Sequence, residues 1–511
     1  MRYLPDGEQM KAADTYTIQE IGVPSVVLME RAALKIVETM EQEQINTECT
    51  LIVCGSGNNG GDGFAVARLL LEKGKHVEVL FAGKESSLSE ECRLQKEIVE
   101  NLGIPVLKEF PEKRYTALLD AVFGVGLSRE ITGHYQEVIE WMNQQEAQKV
   151  AVDIPSGICS STGRVLGIAF QAQLTVSMAC EKLGCAFAPG KNYAGKIVPV
   201  PIGISPEYFT DDPELSFTYE KEELARILPK RSADSHKGTY GRVLMITGSK
   251  GMSGAAYLSA HAAYTVGAGL VQIYTAEENR TVLQSQLPEA VISCYNGYDE
   301  AQLQELLDWA DVICIGCGLG KSETAEKILS YTLIHAKCPC VIDADGLNLL
   351  SGKKESTIIF RAMRYPAILT PHMKEMARLS ERPVSDISEH RMEVLKEYTA
   401  KNPVICVLKD SRTVVAQNGY QKFVNLAGNH AMAKGGSGDV LAGVITGLLA
   451  QEQATGRTER RMNLFKTATA GVFLHACGGD AARDAKGGYS VLARDLIDGI
   501  QTAMKEAERC R

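Results

Sequence analysis

Short apolar runs alternate with longer stretches of helical periodicity along this chain, and that alternation predicts parallel α/β layers. In the first part, Thr50–Cys54, Val77–Ala82, Ala117–Val122, Val150–Ile154 and Leu174–Ser177 read as strands, with Lys196–Val200 as a further candidate. A helical pattern over Gly63–Lys73 follows the first strand directly. In the second part, strands are expected at Arg242–Thr247, Leu270–Thr275, Val312–Ile315, Cys340–Ile342, Ala367–Thr370 and Val404–Leu408. Between the two parts, Ser205–Asp234 carries Pro206, Asp211, Asp212 and Pro213, then a short charged helix, Pro229 and a polar loop. Such a segment interrupts both periods. The expected fold class is therefore α/β, with two three-layer α/β/α domains at residues 1–215 and 222–511.

Composition narrows the function. The length of 511 residues suits two to four domains at about 100–200 residues each. A hydrophobic fraction of 45% and a charged fraction of 23% are ordinary for a globular chain. A net charge of −9 argues against a nucleic-acid partner, which calls for a basic face, yet leaves room for an anionic ligand held locally by backbone N–H groups. The 14 cysteines are scattered, mostly in apolar stretches, as expected of buried thiols in a reducing compartment. Cys314 and Cys317 form a CxxC and Cys338 and Cys340 a CxC, without the two well-spaced pairs of a zinc site. Asp6, Glu8, Asp14 and Glu20 interrupt any signal-peptide core near the start. No apolar run approaches the roughly 18 residues of a transmembrane helix. A cytoplasmic protein with no membrane partner is expected.

The loop Gly55 to Gly63, between a strand and a helix, holds Asn58, Asn59, Gly60, Gly61 and Asp62. It matches GxGxxG, with Glu78 where a ribose-binding acid would stand, so a dinucleotide-binding dehydrogenase is one reading. Asp62 weakens it, because an anion at that helix start repels a pyrophosphate. Two further strand ends repeat the polar theme: Asp120 to Leu127, rich in glycine, and Asp153-Ile154-Pro155-Ser156-Gly157. Ligands of open α/β sheets bind outside the carboxyl ends of strands, and oxygen-rich sites suit hard cations. Taken singly, each Asp is equally well a turn or cap residue.

The second half carries the stronger signal, Lys434-Gly435-Gly436-Ser437-Gly438-Asp439, running into an apolar helix. Its glycines and free N–H groups suit a phosphate, and Asp439 is placed as a general base on a nearby hydroxyl. A plain N-cap aspartate is the alternative, though it leaves the glycines unexplained. Lys409, after the strand Val404–Leu408, can neutralise phosphate as a point charge. His236-Lys237-Gly238 lies in a polar loop that could fold over a ligand, whereas His261 and His475 sit in helical patterns and read as structural. A cradle, a base and a lysine imply nucleotide-dependent phosphoryl chemistry.

Two resemblances make this specific. Residues from about 1 to 210 resemble the NAD(P)H-hydrate epimerase family through Asn58 to Gly63, Asp120 to Leu127, Val152 to Gly157, Thr162-Gly163 and Lys182-Leu183-Gly184. That resemblance implies a Rossmann-like fold and a potassium ion held by Asn59, Asp120 and Ser156. It also implies contacts to the hydrated cofactor from Asn58, Asn59, Gly60, Gly61, Asp62, Gly124, Val125, Gly126, Leu127, Ser128, Arg129, Glu130 and the catalytic Asp153. Residues from about 225 to 505 resemble the ADP-dependent NAD(P)H-hydrate dehydratases of the ribokinase-like superfamily. They do so through His236 to Gly238, Gly241 to Gly254, Gly318 to Gly320, Asp343 to Asp345, Thr370 to His372, Glu375-Met376 and Gly435 to Gly443. This implies hydrate contacts from Ala255, Gly318, His372 and the catalytic Asp439. It implies contacts to ADP, the co-substrate, from Lys409, Asp410, Ser411, Arg412, Thr413 and Gly438, with magnesium on the phosphates.

The implied function is repair of hydrated NADH and NADPH, small-molecule substrates, by a chain expected to form a homo-oligomer. Cys317, Met373, Lys374 and Asp410 depart from the family's pattern, and Asp410 puts an acid near the presumed phosphate. The rival reading is a ribokinase-like small-molecule kinase fused to a non-catalytic Rossmann-like binding domain. A kinase would release a stable phosphoester.

Overall fold

The computed structural model describes residues 1–210, 212–353, 355–454 and 463–510. Asp211 and the last residue of the expected second domain, Arg511, therefore lie outside the described residues. The chain divides into two compact units, Arg2–Phe217 and Thr218–Arg511.

Seven parallel strands build the sheet of the first unit. Their order is Val106–Leu107, His76–Phe81, Cys49–Cys54, Ala117–Ala121, Gln148–Val152, Leu174–Met178 and Lys196–Val200. Side chains alternate across it, as a strand's two-residue period requires. Ile52, Cys54 and Leu119 join one apolar cluster with the helices Ser25–Gln42 and Asn58–Glu72. Leu51, Val53 and Leu118 join another with the helix His134–Gln144. Buried on both faces, these two strands are apolar along most of their length. From Cys49–Cys54 the chain first builds outward to one side, then returns to place Ala117–Ala121 on the other, with Val53 beside Asp120. That reversal opens a crevice at the strands' carboxyl ends.

The second unit repeats the plan. Seven parallel strands run in the order Val404–Leu408, Ala367–Leu369, Cys340–Ile342, Val312–Ile315, Arg242–Ile246, Leu270–Ala276 and Val291–Tyr295. Val414–Ala416 and Lys422–Val424 extend the sheet antiparallel beyond Val404–Leu408. The order reverses between Arg242–Ile246 and Val312–Ile315. Among the described residues no helix is long and apolar enough to cross a membrane.

All the strands expected from the sequence form, with ends shifted by a residue or two. Arg2–Leu4, Val106–Leu107, Ser216–Thr218, Val291–Tyr295, Val414–Ala416 and Lys422–Val424 were not expected. One boundary differs more. The first helix after Cys49–Cys54 starts at Asn58, five residues before the expected Gly63, so Asn58 to Asp62 are helical rather than loop. Its glycines are there for closeness. A β-carbon at Gly60 would lie 2.1 Å from the Gly55 carbonyl, and one at Gly63 would lie 2.6 Å from Ala121.

The same device seats the helix Ser437–Ala454, where a β-carbon at Gly443 would lie 2.1 Å from the backbone oxygen of Ser259. Gly254, in the helix Ser253–Thr265, has nothing within 4 Å. Gly443→Ala is therefore expected to destabilise the second unit by about 1–3 kcal/mol through overpacking. Gly254→Ala should be neutral or stabilising by up to about 1 kcal/mol. Urea denaturation of both variants checks the contrast.

Candidate active sites

In the first unit, a β-carbon at Gly55 would lie 2.1 Å from the carbonyl of Val122, so only glycine lets these two strand ends approach. Beyond them opens a cavity of about 610 Å³. Asn58, Asn59, Asp62, Gly124, Val125, Gly126, Leu127, Ser128, Arg129 and Asp153 all line it. Phe123, within the Asp120 to Leu127 motif, lines it too, as do Lys84, Ser87 and Tyr135, which had no sequence signal. Three expected contacts lie elsewhere. Gly60 and Gly61 are buried behind the wall, and Glu130 is exposed outside it.

Beneath the cavity floor, Asp120 is fully buried. Its carboxylate accepts from the Ser156 N–H at 2.7 Å, the Ser156 hydroxyl at 2.6 Å and the Val122 N–H at 3.2 Å. Burial still pushes this carboxyl up to about 6, against those hydrogen bonds. The N–H of Phe123 donates to Ser156 Oγ at 2.8 Å. At the next residue, a β-carbon on Gly124 would lie 3.4 Å from Asn59 Oδ1. The buried Asn59 amide nitrogen has no hydrogen-bond partner among the described residues. Carboxylate, hydroxyl and amide oxygens thus gather at one place, a donor set that fits a hard cation.

Asp153 directly follows the strand Gln148–Val152, in the left-handed region at φ +68°. Its Oδ1 accepts from the Met178 N–H at 2.9 Å and from the ammonium of Lys182. Lys182 is only 1% exposed. It also donates to Ser177 Oγ at 3.2 Å, Met178 O at 2.8 Å and Cys180 O at 3.0 Å. Two more carboxyls share this field. Burial, then the charges of Asp153 and Asp14, hold Asp62 well above the usual carboxylate range. Asp14, on the helix Gly7–Gln19, is raised by burial, then by Asp153 and Glu91. Sequence reasoning gave Lys182 no role and passed over Asp14. The only signal for Lys182 was its place in a matching motif.

In the second unit, Lys409, Asp343 and the glycine turn converge. Asp343, 1% exposed, follows the strand Cys340–Ile342. Its Oδ1 accepts from Lys409 Nζ at 2.5 Å. Burial alone would lower the Lys409 ammonium's proton affinity, but the charge and hydrogen bond of Asp343 raise it instead. A β-carbon at Gly438 would lie 3.3 Å from Lys409 Nζ and 3.6 Å from Asp343 Oδ2. Gly436, at φ +91°, makes the turn into the helix Ser437–Ala454. Asp439 stands in that helix's first turn. Burial first, and then Asp343 and Asp345, push it up to about 6, against Cys317 and Lys409.

The expected hydrate contacts gather nearby. A β-carbon at Gly318 would lie 2.9 Å from the side chain of Ala255. His372 caps the helix Met373–Ser380, its Nδ1 accepting from the N–H groups of Lys374 at 3.0 Å and Glu375 at 3.3 Å. A single parallel bridge joins His372 to Lys409. Burial, with Lys409 next, holds His372 below its usual range.

The loop from Lys409 to Thr413 leads into Val414–Ala416. Asp410 turns to Arg391, which donates to Oδ2 at 3.2 Å, so its charge is met by a neighbouring cation. Arg412 donates to the Leu426 carbonyl at 2.8 Å, Thr413 Oγ1 to the Asp410 carbonyl at 3.4 Å, and Ser411 is exposed. His236 caps a short 3-10 turn, Lys237–Tyr240, on the surface. His475 is buried in the helix Leu464–Lys486, where desolvation drives it down to about 4. Cys314 and Cys317 are both buried, the latter with Sγ 3.9 Å from Asp343 Oδ2. Among the described residues no cluster of three or more His, Cys, Asp or Glu is placed to hold a metal ion.

Comparison with known proteins covers both units. Residues 243–502 match the family model described as NAD(P)H-hydrate dehydratase, and residues 25–184 match the one described as YjeF-related protein N-terminus. A bifunctional NAD(P)H-hydrate repair enzyme of Moorella thermoacetica is 35% identical, over 99% of this chain and 97% of its own. One from Coxiella burnetii is 34% identical, over 98% of this chain and 99% of its own. A crystal structure of a ribokinase-like superfamily protein from Enterococcus faecalis is 32% identical with a TM-score of 0.50, covering 57% of this chain and 96% of its own. With identity of this level running along nearly the whole of both partners, the chain belongs to the family of bifunctional NAD(P)H-hydrate repair enzymes.

Proposed function

We propose that the chain repairs hydrated NADH and NADPH in two steps: the first unit interconverts the R and S hydrates, and the second dehydrates the S form with ADP, giving AMP and phosphate. One observation supports the second reaction above all, the convergence of Asp439, Gly438 and the Lys409–Asp343 pair at a helix N-terminus.

In the second unit, Asp439 takes the proton of the hydrate's hydroxyl as that oxygen attacks the β-phosphorus of ADP. AMP leaves, with Lys409 and the N–H groups of the glycine turn neutralising the growing charge. The ring nitrogen then expels phosphate from the carbon that bore the hydroxyl, and loss of a proton from the adjacent carbon restores the double bond. Magnesium, when bound on the phosphates, would shield their charge.

In the first unit, Asp153 hands a proton to the leaving hydroxyl of the hemiaminal, and takes one back from water adding to the opposite ring face. Lys182 and the Met178 N–H hold one of its oxygens, which sets the direction of the other. Asp62, which favours the protonated form, lies in the same cavity as a proton source. Potassium, if present, would be held by Asn59, Asp120 and Ser156 and would supply positive charge beside the substrate. Asn58 and the Gly124 to Arg129 segment would grip the cofactor. Among rivals, the small-molecule kinase shares the Asp439 site but would leave its phosphoester in solution.

Asp439→Asn should lower ADP-dependent recovery of reduced nicotinamide absorbance by about 10²–10⁴-fold. Because Asp439 acts as a base and titrates at about 6, the wild-type rate should fall as pH drops through that value. Stability should move the other way. A carboxyl raised in the fold favours the folded state at low pH and costs stability once ionised above about 6. Asp439→Asn should therefore melt no lower than wild type at pH 8, which separates lost chemistry from lost folding.

Asp153→Asn should abolish interconversion of the hydrates while the S form is still dehydrated. Chromatography of the two epimers, with and without ADP, checks this. Retained epimerisation would rule out the role of Asp153.

A further inference from the structure

We infer that Asp343 is a positioning residue of the dehydratase site, fixing the Lys409 ammonium against the glycine turn at Gly438. The inference rests on the reading of Lys409 and Asp439 given above. A lysine ammonium is a point charge on a flexible stem with three donors. Left to itself it would sample many directions. Here one of its N–H bonds is committed to Asp343 Oδ1 at 2.5 Å, which leaves the other two for phosphate oxygens.

Asp343 is itself immobilised. Its N–H donates to the Ile315 carbonyl at 3.1 Å. Its own carbonyl fills the space that a β-carbon at Gly316 would need, 2.0 Å away. The next residue, Ala344, sits at φ +47°, a conformation a non-glycine residue holds only when its surroundings impose it. A carboxylate this deeply buried is costly unless paired, and the partner that relieves the cost is Lys409. The pair thus transmits the rigidity of the sheet to the ammonium.

The charge at 343 has a second effect. Asp439 is faced by Asp343, Asp345, Cys317 and Lys409, and Asp343 is the largest charged influence raising its proton affinity. His372 and Glu375 flank the Lys409 side. Removing the charge at 343 should thus disturb both the lysine's aim and the base's titration. A residue that only supports the fold would do neither.

The test uses the full-length chain with the S hydrate and ADP. Asp343→Asn is expected to lower kcat roughly 10- to 100-fold, as misplacement of a catalytic group does, and to move the acid limb of the rate profile to lower pH. In a Lys409→Met background, with its residual turnover above the acid limb as baseline, the same substitution should cost less than about twofold, because the aim of the lysine is then no longer there to lose. Should Asp343→Asn alone fail to fold, the double variant, in which both charges are gone, is compared with Lys409→Met by itself. An unchanged kcat and acid limb in Asp343→Asn would overturn the inference, and so would a full loss that persists without Lys409. A wild-type chain with no ADP-dependent turnover would instead sink the reading of the site.

Discussion

A parallel sheet covered on both faces leaves an ionised side chain almost nowhere to go except the carboxyl ends of its strands. The inner strands of both units are largely buried, and taking a charge into such an interior costs several kcal/mol even after relaxation. At the strand ends the chain leaves the ladder, backbone N–H groups come free, and a carboxylate can be satisfied. Asp153 and Asp343 stand at such points, each directly after the last residue of its strand. Each is met by a lysine, the buried Lys182 from 29 residues further on and the partly buried Lys409 from 66. Neither pair exists until the sheet around it has formed, so each site inherits its geometry from the whole fold.

Glycine supplies the second constraint. At Gly55 and Gly316 the clearance to a neighbouring carbonyl is too small for any side chain. The first contact brings two strand ends together where strand order reverses, and the second joins Val312–Ile315 to its neighbour Cys340–Ile342. The first unit's cavity is also lined in part by Gly57, Gly124 and Gly126, where the backbone can come close to a phosphate or a polar ring substituent.

The sequence showed the strands and the glycine turns because both are local signals. Continuous apolar runs mark buried parallel strands, and Gly435 to Gly438 mark a turn before a helix. The helix start at Asn58 was misplaced because glycine and asparagine there read as loop, while the fold uses the glycines for tight packing against Gly55 and Ala121. The short strands Val414–Ala416 and Lys422–Val424 carry too few residues to show a period. Lys182 and Asp14 went unassigned for a different reason. Their significance lies in which carboxylates they face, and nothing within a few residues of either encodes that. Asp410 shows the converse: an acid that reads as misplaced beside a phosphate is matched by Arg391, 19 residues away.

The left-handed backbone at Asp153 separates two demands that usually coincide. Asparagine and glycine tolerate that conformation as well as aspartate does or better, so the backbone angle at this corner does not itself call for a carboxyl group. What aspartate adds there resides in its oxygens alone. Losing the acid at 153 would therefore be felt not in the turn of the chain but in the buried Lys182 ammonium, left without the anion it faces.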